Sequence, residues 1–237
     1  MNTFDINGVQ TEIIYEDRDV IAFVKPAGVL SQSSASCEAS VLEYLDAYGN
    51  GAFTAHPIHR LDRNTAGVMI CAKNKKAAAA LSALIADGSM HKEYLAAVHG
   101  ILEGTGTLEH DLYFDRRLDK SFPVKSSGRK GVKHAVLDYE AQHSFSEPER
   151  TVVRIVLHTG RTHQIRCQMA AEGHPLLGDG KYGGRGAKSV TSLYSCRITL
   201  DDEAISKTDL KVSPFRRALK EHPDLLSSTP EGFPWTE

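Results

Sequence analysis

The 237-residue sequence predicts an α+β protein. Short apolar runs typical of strands are mixed irregularly with segments of helical spacing, and the regular alternation of a doubly wound parallel sheet is missing. The composition is 41% hydrophobic and 24% charged, with one Trp, which is typical of a globular chain able to bury a substantial core. We expect residues 1–237 to form one domain, with a core at about residues 12–200 and a C-terminal extension at 201–237.

The chain opens with a predicted β-hairpin. Glu12–Tyr15 and Val20–Val24 are rich in β-branched and aromatic residues, and the polar residues between them favour a turn. Ser40–Leu45 has helical spacing, and Gly49 is the predicted end of this helix. The apolar run Val68–Ala72 then predicts a strand.

The middle of the chain alternates between helical and extended patterns. Asn74 is placed to cap a helix whose apolar residues fall on one face. Tyr94–Val98 follows as a predicted strand, after which residues 115–131 form a long polar segment. Strands are predicted again at 132–142 and 152–158, the second with the alternation of a half-buried strand.

Three further elements complete the predicted fold. Thr162 can cap a helix that runs to Gly173. Leu193–Leu200 predicts a strand, and a helix is expected around Phe215–Lys220.

Charge and motif content exclude several classes of function. The formal net charge is −2, so the whole chain has no attraction for nucleic acid or anionic membranes, and any polyanion site must be local. No apolar run approaches the roughly 18 residues of a membrane span, so we expect a cytoplasmic location. The four cysteines are widely spaced without a C-x-x-C pair, which argues against a disulfide framework or a zinc ribbon. No glycine-rich phosphate motif supports a nucleotide cofactor.

One segment is strongly basic although the chain is not. Seven cations stand there against the single acid Asp119: Arg116, Arg117, Lys120, Lys125, Arg129, Lys130 and Lys133. Folded RNA is held largely through its phosphates, so this segment is a candidate RNA clamp. A solvated surface loop is the alternative.

The stretch HRLDRNTAG, residues 59–67, places Asp62 between Arg60 and Arg63 just before an apolar run. This acid belongs either to an ordinary surface ion pair or to a site that keeps a carboxylate ionised for chemistry. His56 and His59 form an H-x-x-H pair, which together with Asp62 could indicate a metal-dependent hydrolase. The proline between the two histidines argues against a helix that would present both to one metal.

HRLDRNTAG, HKEYLAA and HTGRTHQIRCQMAAEGHPLLGD, in this order and at these separations, resemble the motifs of RluA-type pseudouridine synthases. The lead-in DVIAFVKPAGV also resembles the first strand motif of that family, and the resemblance covers roughly residues 12–200. It implies a mixed, mainly antiparallel sheet in two subdomains, flanked by helices and loops, with an active-site cleft across the sheet. It also implies isomerisation of a uridine in structured RNA, rRNA or tRNA, without a metal or organic cofactor.

The resemblance assigns catalytic roles to Asp62, Tyr94 and Arg166. Asp62 would act at the ribose C1′, where glycosidic cleavage leaves electron deficiency, either by attack or stabilisation or by removing a ribose proton to give a glycal. Arg166 would keep that carboxylate ionised, and Tyr94 would stack on the base and help to remove the C5 proton. Without the motifs, a surface arginine and a core aromatic describe Arg166 and Tyr94 equally well.

Binding roles follow in the same way. Arg60 would enter the space left by the flipped nucleotide, Ile165 would pack near the uracil, and Arg129 and Lys130 of the basic segment would contact RNA. Ala66 departs from the family pattern, which has serine there.

The resemblance also sets expectations for the whole protein. Only eleven residues precede Glu12, so we expect the chain to lack the N-terminal S4-like RNA-binding domain of many relatives and to act as a monomer. A catalytically silent RNA-binding protein of the same fold is the alternative.

Overall fold

The structure is a computed structural model that describes residues 2–33, 38–125, 128, 130–183 and 190–230. It divides into two compact units, the first formed by Met1–Lys92 with Ser195–Pro230 and the second by Glu93–Tyr194. Both contain strands and helices, and the strand pairing in both is mostly antiparallel. The predicted α+β class is confirmed.

The described residues form eleven strands and five helices. The strands are β1 (Thr3–Ile6), β2 (Val9–Glu16), β3 (Val20–Lys25), β4 (His56–Pro57), β5 (Ala66–Ala72), β6 (Met90–His99), β7 (Thr105–Asp115), β8 (Lys120–Val124), β9 (Val132–Ser146), β10 (Glu149–Leu157) and β11 (Leu193–Leu200). The helices are α1 (Val41–Gly49), α2 (Lys75–Ala86), α3 (Gln164–Ala171), α4 (Asp202–Ser206) and α5 (Pro214–Glu221). No helix among them is long and apolar enough to span a membrane.

The sheet of the first unit has the strand order β1-β2-β3-β5-β11, with β4 paired to β5. β3 and β5 are antiparallel in a register that sets Val20 opposite Ala72 and Lys25 opposite Gly67. This register brings the last residue of β3 to the start of β5. The loop that carries HRLDRNTAG enters β5 at this point.

Helix ends in the first unit follow the predicted capping chemistry. The Asn74 side chain accepts the N–H of Ala77 at 2.9 Å and caps α2, as predicted. Ser40 and Glu43 form a capping box at the start of α1. α1 does reach Gly49, but the left-handed residue that ends it is Asn50.

The second unit has the strand order β6-β10-β9-β7-β8. β7 and β8 are joined by a tight turn at residues 116–119 and form a hairpin with Asp115 opposite Lys120. Neither strand was predicted from the sequence. β7 is fully buried only at Leu112, so its sequence lacks the apolar alternation by which a half-buried strand is recognised.

The C-terminal extension belongs to the hydrophobic core of the first unit. Four of its side chains are at most 2% exposed: Ile205, Leu210, Phe215 and Leu226. They pack in one cluster with apolar residues of β3, β5 and α2. The N–H of Phe215 donates to Asp17 at 3.1 Å, and its ring lies 5.4 Å from that of Tyr15.

Replacing Phe215 by Ala should lower the free energy of unfolding by about 3–5 kcal/mol, because the lost ring leaves a cavity among buried neighbours. Urea unfolding followed by circular dichroism measures this. Val212→Ala is the matched control, since Val212 is 76% exposed and its truncation should change stability by less than about 0.5 kcal/mol. Equal effects of the two variants would contradict a core role for the extension.

Candidate active site

A buried lysine holds the loop that contains Asp62. Lys25 ends β3 with its side chain fully buried, and its Nζ donates to the carbonyl oxygens of Pro26 at 2.9 Å, Arg63 at 3.1 Å and Thr65 at 3.0 Å. A longer contact of 3.5 Å reaches the carbonyl of Asp62. The ammonium group therefore collects the backbone carbonyls of the loop around one point.

Burial lowers the pKa of Lys25 to about 7. The nearby Asp62 carboxylate acts in the opposite direction and favours the protonated form, whereas Arg63 lowers the pKa further. Desolvation is the largest cause, as expected for a cation removed from water.

The β3–α1 segment binds the same loop from its other side. The Ser31 hydroxyl accepts the N–H of Leu61 at 3.0 Å and donates to the Leu61 carbonyl at 2.7 Å. Gly28 exchanges two hydrogen bonds with Arg63, through the Gly28 N–H at 2.8 Å and the Arg63 Nε at 3.0 Å. The Arg63 guanidinium also lies 2.9 Å from Glu38. Arg63 therefore shapes the loop.

His59 is a structural histidine. Its Nε2 accepts the N–H of Ile70 at 3.0 Å, so the proton of the neutral ring lies on Nδ1. Burial, with a contribution from Lys92, lowers the pKa of His59 to about 3. Its Nε2 lone pair is occupied by this bond, and no group of three or more potential ligands among the described residues could hold a metal ion. The structure therefore gives no support to the metal-dependent hydrolase.

Gly67 is the last residue of HRLDRNTAG, and no side chain fits at this position. Its φ is +116°, and an added Cβ would lie 2.2 Å from the carbonyl oxygen of Ser195. The Ser195 hydroxyl donates to the carbonyl of Val68 at 3.2 Å beside this contact. The glycine thus allows the close approach of β5 and β11 that fixes one end of the loop.

The helix of the third motif begins one residue later than predicted. Thr162 does not cap it: the N-cap of α3 is His163, which has φ +54° and no side-chain capping bond, and α3 ends at Ala171. The preceding turn is instead held by Gln164, whose side-chain oxygen accepts the Arg161 N–H at 3.0 Å and the Thr159 hydroxyl at 2.8 Å. Both bonds are local, but they come from an amide inside the helix and not from a capping residue at its start, so the search for an N-cap residue does not find them.

Arg166 lies in the first turn of α3, as expected, and is 8% exposed. Its Nε and Nη2 donate to the two carboxylate oxygens of Asp179 at 2.6 and 2.8 Å, a bidentate pair. Its guanidinium carbon also lies 5.1 Å from the centre of the Tyr182 ring. The sequence prediction assigned no role to Asp179, which is the acid of the quoted string GHPLLGD.

The remaining predicted residues are distributed between the two units. In the first unit, Asp62 is half-buried and Arg60 is exposed. In the second unit, Tyr94 and Ile165 are buried at 5% and 4% exposure, and Lys130 is exposed. That Asp62 faces Arg166 and Tyr94 across one cleft stays a prediction.

Most of the predicted basic segment is exposed. Its exposed cations are Arg116, Arg117, Lys125, Lys130 and Lys133. Lys120 is partly covered, with its Nζ 4.8 Å from the centre of the Tyr182 ring. Arg129 lies outside the described residues.

Comparison with known proteins identifies the family. The model of a family described as RNA pseudouridylate synthase matches residues 19–171, which include the lead-in strand, the HRLDRNTAG loop, β6 and α3. The chain belongs to the RNA pseudouridylate synthase family. The resemblance deduced from the four motifs is confirmed.

Two relatives and one solved structure show the extent of the similarity. Ribosomal large subunit pseudouridine synthase D of Xylella fastidiosa is 33% identical over 180 residues, covering 74% of this chain and 53% of that protein. tRNA pseudouridine synthase C of Pasteurella multocida is 34% identical over 185 residues, covering 73% of this chain and 74% of that protein. Human RNA pseudouridylate synthase domain containing 1 matches with a TM-score of 0.69 and 25% identity, covering 84% of this chain and 79% of that chain. The chain thus spans about half the length of the Xylella relative.

Two residues that support the candidate site were missed from the sequence. Lys25 and Asp179 both stand in strings quoted for the resemblance, KPAG and PLLGD, but nothing local marks either as a buried ion. A lysine after an apolar strand normally lies in solvent, and the acid follows a glycine as in a turn. Only the tertiary contacts reveal what they bind.

Lys25→Met should loosen the Asp62 loop, because the carbonyls of Arg63 and Thr65 lose their donor. We expect a loss of about 1–3 kcal/mol in the free energy of unfolding and faster hydrogen exchange at the Thr65 amide, which bonds the Asp62 carbonyl at 3.0 Å. Lys76→Met is the control, since the Lys76 side chain is 70% exposed. Unchanged exchange at Thr65 would contradict the anchoring role.

The difference in stability between the wild type and Lys25→Met should depend on pH. The folded-state pKa of Lys25 is about 7, below the unfolded value of about 10.4, so the unfolded chain binds more protons between these limits. The wild type should therefore gain stability relative to the variant as the pH rises through this window, by at most about 1.4 kcal/mol per pH unit. Paired urea titrations of the two proteins from about pH 7 to 10 measure this. A difference in unfolding free energy that does not change with pH would show that the buried ammonium keeps its proton.

Proposed function

We propose that this protein isomerises a specific uridine in structured RNA to pseudouridine. The observation that carries the proposal is the anchored loop of a family member: Asp62 stands half-buried on a backbone fixed by Lys25, Ser31 and Gly28. A loop held in one conformation is what an enzyme needs to keep a carboxylate close to a single carbon of its substrate. The names of the two relatives favour rRNA or tRNA as the substrate class.

In the proposed reaction the bond between N1 and C1′ breaks and a bond between C5 and C1′ forms. Asp62 acts at the ribose by one of two routes. It either acts on C1′ directly, by stabilising it or by forming an ester bond that breaks when C5 joins C1′, or it removes a ribose proton to give a glycal and returns that proton when C5 joins C1′. The uracil C5 loses its proton with help from Tyr94, and N1 gains a proton. Atoms and electrons are conserved, so the proposal includes no metal or organic cofactor.

Arg166 is proposed as the counter-charge of Asp62. Its guanidinium is held by a bidentate pair of bonds to the carboxylate of Asp179. Asp179 thereby fixes the plane of the guanidinium, so the positive charge has a definite position. This arrangement favours an ionised Asp62 in a site closed by RNA.

The RNA would be held by residues at the surface. Arg60 is exposed on the Asp62 loop and is proposed to occupy the place of the flipped nucleotide, with Ile165 packing near the uracil. The exposed cations of residues 116–133, including Lys130, are proposed to contact phosphates, and Arg129 is expected to do the same. A cytoplasmic location and a monomeric state complete the proposal.

Asp62→Asn and Asp62→Ala should abolish pseudouridine formation and leave RNA binding within about threefold of the wild type, because one carboxylate adds little to a phosphate-dominated affinity. Comparing pseudouridine maps of total RNA from cells with and without the gene identifies the target. A transcript carrying it with tritium at C5 then measures turnover by tritium release. Asp209→Asn is the control, with a side chain that is 61% exposed.

The outcomes separate the candidate functions. Turnover retained in either Asp62 variant would contradict the assigned role of Asp62. Firm RNA binding by the wild type without any new pseudouridine would instead indicate the catalytically silent RNA-binding protein.

A further inference from the structure

The Tyr182 ring lies beside two cations, Arg166 in the first turn of α3 and Lys120 in β8. The guanidinium carbon of Arg166 is 5.1 Å from the ring centre, and Nζ of Lys120 is 4.8 Å from it. Both distances are within the range of cation–π attraction. Tyr182 is 8% exposed, so its ring is held in place where it packs against Arg166.

The Tyr182 hydroxyl is bound to two other elements. It accepts the N–H of Ser121 in β8 at 2.7 Å and lies 3.1 Å from Nδ1 of His163, the N-cap of α3. Ser121 also donates through its hydroxyl to the carbonyl of Thr162 at 2.6 Å. The ring contacts the Arg166 guanidinium as well as Lys120, and the hydroxyl lies beside His163 as well as Ser121. The two parts of the side chain still differ, because the hydroxyl bonds the backbone of the β7–β8 hairpin and the ring contacts the guanidinium.

The residue before Tyr182 binds the turn of that hairpin. Nζ of Lys181 donates to the carboxylate of Asp119 at 2.6 Å and to its carbonyl at 2.7 Å, and the Lys181 N–H reaches Asp179 at 3.2 Å. The segment 179–182 thus begins with Asp179, the partner of Arg166, and ends with Lys181 and Tyr182, which bind the hairpin.

The turn of the hairpin presents a surface suited to RNA. Arg116 and Arg117 are exposed, and the apolar side chain of Leu118 is 61% exposed beside them. Asp115 accepts the N–H groups of Arg117 at 2.8 Å and Leu118 at 3.3 Å, which fixes the turn. Two cations for phosphates and one apolar group for an unstacked base are what a single-stranded RNA segment requires.

We propose that the turn of the β7–β8 hairpin, residues 116–119, binds the RNA substrate and that Tyr182 is a positioning residue coupling this turn to Arg166. The proposal rests on the proposed function, because it takes Arg166 to be the counter-charge of Asp62. The hydroxyl sets the position of the hairpin and hence RNA affinity. The ring sets the position of the guanidinium and hence the chemical step.

Two substitutions at Tyr182 separate these roles in the full-length protein. Tyr182→Phe keeps the ring and removes the hydroxyl, so KM should rise about three- to tenfold with kcat unchanged. Tyr182→Leu removes both, so kcat should also fall about ten- to hundredfold, the scale expected when a catalytic group is misplaced. Tritium release from the C5-labelled target transcript measures both constants, and Arg117→Ala should raise KM alone.

Tyr139 provides the matched controls, since its ring packs over Gly106 in the same unit. Tyr139→Phe and Tyr139→Leu should leave kcat and KM within about twofold of wild type. A fall in kcat for Tyr182→Phe as large as for Tyr182→Leu, or no fall for either, would overturn the proposal.

A second measurement does not depend on turnover. By nuclear magnetic resonance, Tyr182→Phe should speed exchange of the Ser121 amide, and Tyr182→Leu should in addition shift the Arg166 Nε–H resonance. Absence of both changes would overturn the coupling. A wild type that forms no pseudouridine while both changes occur would overturn only the proposed function.

Discussion

The buried ammonium of Lys25 determines the conformation of the loop on which the proposed chemistry depends. Removing an ammonium from water costs several kcal/mol, and each hydrogen bond from a charged donor returns about 1.5–3 kcal/mol. Three short bonds to carbonyl oxygens offset part of that cost, and the remainder is expressed in the lowered pKa of Lys25, about 7. They are made to backbone atoms, so the ammonium acts on the main chain of the loop.

The second unit also buries a cation beside a short turn, but this cation is bound by a side-chain carboxylate and not by backbone carbonyls. Arg166 is paired through its side chain with the carboxylate of Asp179, which is 1% exposed. A bidentate pair of this kind fixes an orientation more than it adds stability, since desolvation of both ions offsets much of their attraction. Lys25 organises a backbone, and Asp179 orients a side chain. In both cases a buried charge supports a residue proposed to act on the substrate.

Sequence patterns predicted the elements with strong periodicity or local capping chemistry. The strand Leu193–Leu200 and the Asn74 cap were predicted correctly, because an apolar run and a capping residue can both be recognised in the local sequence. The β7–β8 hairpin was missed because most of its residues stay partly exposed. The Thr162 cap was wrong because the side chain of Gln164, which lies inside the helix, holds that turn. Of the site, the motifs predicted the residues that are proposed to act but not Lys25 or Asp179, whose roles exist only as tertiary contacts.

The local pattern of HRLDRNTAG suggested that Asp62 pairs with the arginines beside it. The structure assigns Arg63 elsewhere: its Nε donates to the Gly28 carbonyl, and its guanidinium lies 2.9 Å from Glu38. Arg60 is exposed to solvent, where an ion pair contributes little. Asp62 also acts on Lys25, whose pKa it raises against the larger lowering by burial. The two cations beside Asp62 in the chain thus bind the loop or face solvent, and the counter-charge proposed for its carboxylate is Arg166.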